Sequence, residues 1–250
     1  MTTSEPATTG ANVPNSPLPL AMQPDHHADV SGGWLRAATF GAMDGLVTNI
    51  ALIAGVGGGG VSAHTLILTG IAGLVAGAAS MGLGEYTSVK AQNDQILAEV
   101  ERERRELKRF PDAEANELAT MWISRGLPED IATQMAHVLK DHPEEALRIH
   151  VREELGVDPE DHPSPWTAAI SSFLCFCAGA IIPLLPYLVG LENLWIALGV
   201  GGVGLITVGA LIAKFTGKSW WVSGLRQLAL GGAAALITYG VGHLIGGGVV

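Results

Sequence analysis

Residues 65–109 read TLILTGIAGLVAGAASMGLGEYTSVKAQNDQILAEVERERRELKR, and the change of character within them decides the fold. As far as about residue 87 the run is apolar and glycine-rich, near the roughly 20 residues an α-helix needs to cross hydrocarbon. From Ser88 to Arg109 charged residues dominate, yet no Gly or Pro falls between Glu85 and Phe110. A single helix is therefore expected to leave the membrane and continue into water.

Outward from this stretch, four further apolar runs cover residues 35–57, 166–190, 194–214 and 220–247. Five spans place the two termini on opposite sides of a membrane. All 14 Lys and Arg then fall on one side: Arg36, ten residues from Lys90 to Arg152, and Lys214, Lys218 and Arg226. The connections at 58–64 and 191–193 and the C-terminal tail carry none. Basic residues are retained in the cytoplasm during insertion, so the N-terminus and the long insert are expected inside and the C-terminus outside. The fold class expected is an all-α membrane protein of five transmembrane helices with a cytoplasmic helical insert between the second and third. Its parts are a tail at 1–33, two spans in 34–87, the insert at 88–162 and three spans in 163–250.

Composition agrees, with 48% hydrophobic residues, 33 Gly and 15% charged residues, as in a bundle of membrane helices. The net charge of -10 is concentrated, because residues 88–162 hold 18 of the 24 acidic and 10 of the 14 basic side chains. Such an insert attracts cations and repels nucleic acid. Residues 1–33 lack a basic, apolar secretory signal and read as a disordered tail, with His26 and His27 as plain tail residues. Without an organelle signal, the expected setting is a bacterial inner membrane. Cys175 and Cys177 stand about 200° apart on a helix, so they neither pair nor share a metal face. The spans contain no Ser/His or Asp pair and no His-Glu-x-x-His pattern, so an enzyme is not expected, and His243 reads as a packing or hydrogen-bonding residue.

Asp44 is the one acid in the middle of the first span. A carboxylate at that depth costs about 2.5–3.5 kcal/mol on insertion scales, which favours a polar interior position. Thr48 follows one turn later and Asn49 is nearby. A structural hydrogen bond between helices would explain the residue, and so would a cation or proton site. In the second span Gly77, Met81, Glu85 and Ser88 fall along one helical stripe, offering a thioether and a carboxylate. Gly73 with Gly77, and Ala37, Gly41 and Gly45 in the first span, form ridges for close helix contact.

The insert reads as helices over about 88–109, 112–125 and 129–155, with Pro143 breaking or restarting the last. Trp122, Ile123, Ile131, Met135, Val138, Leu139, Leu147 and Val151 supply its expected apolar core. Glu103 and Glu106 share a helix face, and Glu114 and Glu117 repeat the spacing. A turn around Phe110 and Pro111 that brings the pairs opposite each other would give four converging oxygen donors, suited to Fe2+ or Mn2+. A solvated face is the other reading, since Arg102, Arg104, Arg105, Lys108 and Arg109 interleave with these acids.

The runs MDGLVTNIALIAG at 43–55 and ASMGLGEY at 79–86, with an insert ending EELGV at 153–157, resemble the vacuolar iron transporter family, also called the yeast calcium-cross-complementer type. The resemblance covers about residues 34–248. It implies a homodimer with the ion path between subunits and proton-coupled export of Fe2+, often Mn2+, from the cytoplasm. No prosthetic group is implied; the metal is substrate and a possible bound regulator. Asp44 and Met81 match the family's path residues, and Glu85 extends that path toward the cytoplasm. The insert corresponds to the family's metal-binding domain, with Glu103, Glu106, Glu114, Glu117 and Glu154 at ligand positions. Where the eukaryotic pattern has a Met pair, this chain has His150 and Val151. His150 lies one turn before Glu154 and could replace a thioether. Glu153, His137 and His142 are weaker candidates, expected to face solvent. A membrane metal sensor or scaffold that acts through the insert without transport is the alternative.

Overall fold

The structure, a computed structural model, describes residues 33–159 and 162–247; the tail reading of residues 1–33, with His26 and His27, lies outside them except at Gly33. No strand occurs among the described residues, and five helices are long and apolar enough to cross a membrane. Helix α1 covers Trp34–Gly58 and α2 covers Ala63–Arg109. Ser62 caps α2 by accepting a hydrogen bond from the Thr65 N–H. At 47 residues, α2 runs unbroken from apolar to charged sequence. Its length is about 70 Å.

Phe110 ends α2, and Pro111 starts α3, Pro111–Ser124, at the first helical position, where a missing N–H is harmless. Then come α4, Glu129–Leu139, and α5, Pro143–Leu155, which Gly156 terminates at φ 66°, a conformation that suits glycine. The third apolar span begins as α6, Pro165–Ile181. It tightens into a 3-10 turn, Ile182–Leu184, and ends as α7, Leu185–Leu188. Pro183 and Pro186 lack the N–H groups that would continue α6 unchanged. Asn193 caps α8, Leu194–Thr216, and α9 spans Trp220–Gly247.

Small residues set the packing. A Cβ on Gly45 would stand 2.2 Å from the Phe176 carbonyl oxygen, and one on Gly179 would stand 2.2 Å from that of Ala42. Helices α1 and α6 thus touch backbone to backbone, as membrane helices do when dispersion replaces the hydrophobic effect. Asn49, 1% exposed, donates from Nδ2 to the Ala180 carbonyl oxygen at 2.5 Å, near the end of α6. Leu230, Leu236 and Leu244 of α9 are exposed, as lipid-facing residues of a span should be.

The insert's core differs from the expected one. Leu118, Ala115, Ala119, Trp122, Ala132 and Ala136 form it, with Leu147 and Val151 also buried. Ile123, Ile131, Met135 and Val138 are exposed. The reason lies in α4, whose face bearing Ala132 and Ala136 packs on α3. Its larger residues at 131, 135 and 138 share another stripe.

Candidate metal centre

Three helices meet at the far end of α2. Glu103 lies two turns before that helix ends, Glu114 lies in the first turn of α3, and His150 and Glu154 lie one turn apart on α5. Because Pro111 reverses the chain directly after Phe110, the two glutamates on either side of the turn converge. One ligand atom from each of Glu103, Glu114, His150 and Glu154 lies within 4.8 Å of the others. His150 Nδ1 stands 3.2 Å from Glu103 Oε1 and 3.7 Å from Glu154 Oε1. Glu103 is 6% exposed and His150 1%, and apart from their contact with each other and with Glu154 neither Glu103 Oε1 nor His150 Nδ1 has a polar partner of good hydrogen-bond geometry. Buried polar atoms are rarely left in that condition.

Glu106 and Glu117 line the same cavity of about 360 Å³ as Glu103, Glu114 and Glu154, with Glu99 and Arg102. Arg102 pairs with Glu106 at 3.3 Å and approaches Glu99 at 3.7 Å. Burial, reinforced by Glu154, Glu114, Glu106 and Glu117, pushes the Glu103 carboxyl up to about 7. Burial also raises Glu114 and Glu154, with neighbouring carboxylates adding to the effect. His150 shifts down because burial disfavours its cationic form. A neutral imidazole facing carboxylates that resist ionisation is a donor set short of positive charge. A divalent cation would supply that charge, and three carboxylates with one imidazole suit Fe2+ or Mn2+.

Glu153 lies elsewhere. It is half-buried, accepts a hydrogen bond from Trp122 Nε1 at 3.4 Å and pairs with Arg125. His137 and His142 are exposed.

Within the spans the candidates occupy separate surroundings. Asp44 is half-buried and accepts a hydrogen bond from Thr48 Oγ1 at 3.1 Å. Thr48 is exposed and lines an apolar groove of about 740 Å³ between α1 and α9. Met81 packs on the cluster of Ala78, Phe176 and Ala180. Glu85 is buried and takes a 2.9 Å hydrogen bond from Arg36 Nη2, a contact that sequence reasoning missed. Arg36 had an interfacial position as its only signal, and topology already accounted for that. Asn49, a near neighbour of Asp44 in sequence, faces α6 and leaves its Oδ1 buried without a partner.

The family model described as the VIT family matches residues 35–243. A vacuolar iron transporter of Acanthamoeba castellanii is 35% identical over 235 residues, covering 90% of this chain and 84% of that protein. Vacuolar iron transporter 1 of Oryza sativa subsp. japonica is 29% identical over 246 residues, covering 96% and 98%. Vacuolar iron transporter 1 of Arabidopsis thaliana is 33% identical over 167 residues, covering 66% and 67%. A five-span helical chain matched across nearly its whole length in this way belongs to the VIT family.

Proposed function

We propose that this protein moves Fe2+, Mn2+ or both out of the cytoplasm in exchange for protons. The observation that carries the reading is the convergence of Glu103, Glu114, His150 and Glu154, with the buried Glu103 Oε1 and His150 Nδ1 facing each other without a hydrogen bond of good geometry, in a chain related to proteins named iron transporters. On this reading the insert faces the cytoplasm and collects metal. Glu106 and Glu117 line the approach, and Glu85, Met81 and Asp44 mark the route through the membrane.

Proton coupling on this reading is competition between a proton and a divalent cation for the same Asp44 oxygens, each displacing the other when the site opens to one side and then the other. The protein works as a homodimer, with Asp44 and Thr48 of α1 facing the partner. The exposure of Thr48 and the apolar groove beside it support that placement.

Fe2+ and Mn2+ flux into proteoliposomes, measured in competition with and without a pH gradient, tests the proposal. Asp44→Ala should abolish flux while leaving a folded dimer. Proton-driven flux in that variant would overturn the assignment, and a wild-type protein that binds metal but carries none would favour the sensor reading.

A further inference from the structure

Arg36 and Glu85 meet where the spans give way to the insert. The Arg36 side chain, in the first turn of α1, is 64% exposed; that of Glu85 is 9% exposed. The Arg36 Nη2 donates to Glu85 Oε2 at 2.9 Å. Beside the pair, Ala37 next to Arg36, Val89 one turn past Glu85, and Ala168 form a buried cluster. Asp44 lies eight residues deeper along α1, or about 12 Å. An ion moving from the insert toward Asp44 along this route reaches a carboxylate that already holds a cation.

We propose that Arg36 is a specificity-determining gate, holding Glu85 in the metal-free protein and yielding it to divalent but not monovalent cations. The inference rests on reading Glu85 as part of the metal route. A buried carboxylate without a partner is strongly unfavourable, so Glu85 needs a cation at every stage. Na+ or K+ would exchange one positive charge for another and lose the directional guanidinium hydrogen bond. A divalent ion doubles the attraction at equal distance. The displaced Arg36, already largely in water, loses little by swinging away. Arginine stays charged at any physiological pH, so the gate opens through competition and not through loss of a proton.

Mn2+ flux in proteoliposomes at mildly alkaline pH tests this with wild type, Arg36→Gln, Arg36→Lys and Glu85→Gln, each checked for insert orientation by protease accessibility. In Arg36→Gln the half-saturating Mn2+ concentration should fall about tenfold, and Na+ or K+ should begin to compete. Arg36→Lys should stay insensitive to both monovalent ions. Glu85→Gln keeps Arg36 in place for insertion and should raise the half-saturating concentration without monovalent competition. Wild-type half-saturation and salt insensitivity in correctly oriented Arg36→Gln, or an unchanged Glu85→Gln, would overturn the gate. Absence of Mn2+ flux in the wild type would instead overturn the transport reading.

Discussion

Replacing Glu103 by Gln should move the metal-free and metal-loaded protein in opposite directions. In the unfolded chain this carboxyl ionises near 4.5, whereas in the folded insert burial and four neighbouring glutamates raise it to about 7. Between those values the folded state keeps a proton that the unfolded state has released. Stability therefore falls as pH rises through that window, and the whole penalty is present above about 7. The gap corresponds to about 3 kcal/mol. Glutamine keeps the shape without the charge, so the metal-free variant should gain up to that amount in alkaline solution and little in acid. With metal the sign should reverse, because on the proposed reading the variant lacks one of the ligands. Hydrogen–deuterium exchange of the purified full-length protein, followed on α5 and the last turns of α2, reads both effects. Exchange in metal-free Glu103→Gln should slow by up to about a hundredfold near pH 8 and change little near pH 5. Mn2+ should protect the wild type far more than the variant. Faster exchange in the metal-free variant near pH 8, or equal protection by Mn2+, would refute the reasoning.

Three further outcomes are expected. His150→Ala should weaken Mn2+ binding, measured by calorimetry, by more than the roughly 10–100-fold typical of losing an outer partner; unchanged affinity would make His150 a packing residue. Glu103→Ala combined with Glu106→Ala should raise the metal concentration for half-maximal flux, and an unchanged value would leave these acids as surface charge. A Cβ at Gly242 would stand 1.7 Å from the Gly55 carbonyl oxygen. Gly242→Ala should therefore part α1 from α9 and lower the thermal transition in detergent, at a cost of about 1–3 kcal/mol.

The spans were legible because apolar length is a one-dimensional property that a membrane enforces. The continuity of α2 was legible because a helix without Gly or Pro has no reason to stop, and Pro111 and Pro143 marked restarts through their missing N–H groups. Helical spacing pairs Glu103 with Glu106, but the closest convergence selects Glu103 and Glu114 across a turn, with His150 from α5. That selection depends on how α5 docks, through Ala146, Leu147, His150 and Val151, and the rotation that turns His150 inward with them is a tertiary property that spacing along one helix does not carry. Glu153 and Glu154 are adjacent in sequence yet point to different partners, one to Trp122 and Arg125, the other to His150. Arg36 looked like a topology signal because its partner is 49 residues away.

The unbroken α2 has one more consequence, concerning where the molecule can bend. From Tyr86 to Arg109 no Gly or Pro interrupts the helix. Glu103 is carried about 27 Å beyond Glu85 on what is mechanically a rod. A Cβ at Gly84 would meet nothing within 4 Å, and one at Gly82 only ordinary contacts. Gly82 and Gly84 are the last glycines before this rod, and a tilt of about 5° at them would sweep the Glu103 end through about 2 Å. A bend there would have its fulcrum beside the Arg36–Glu85 pair.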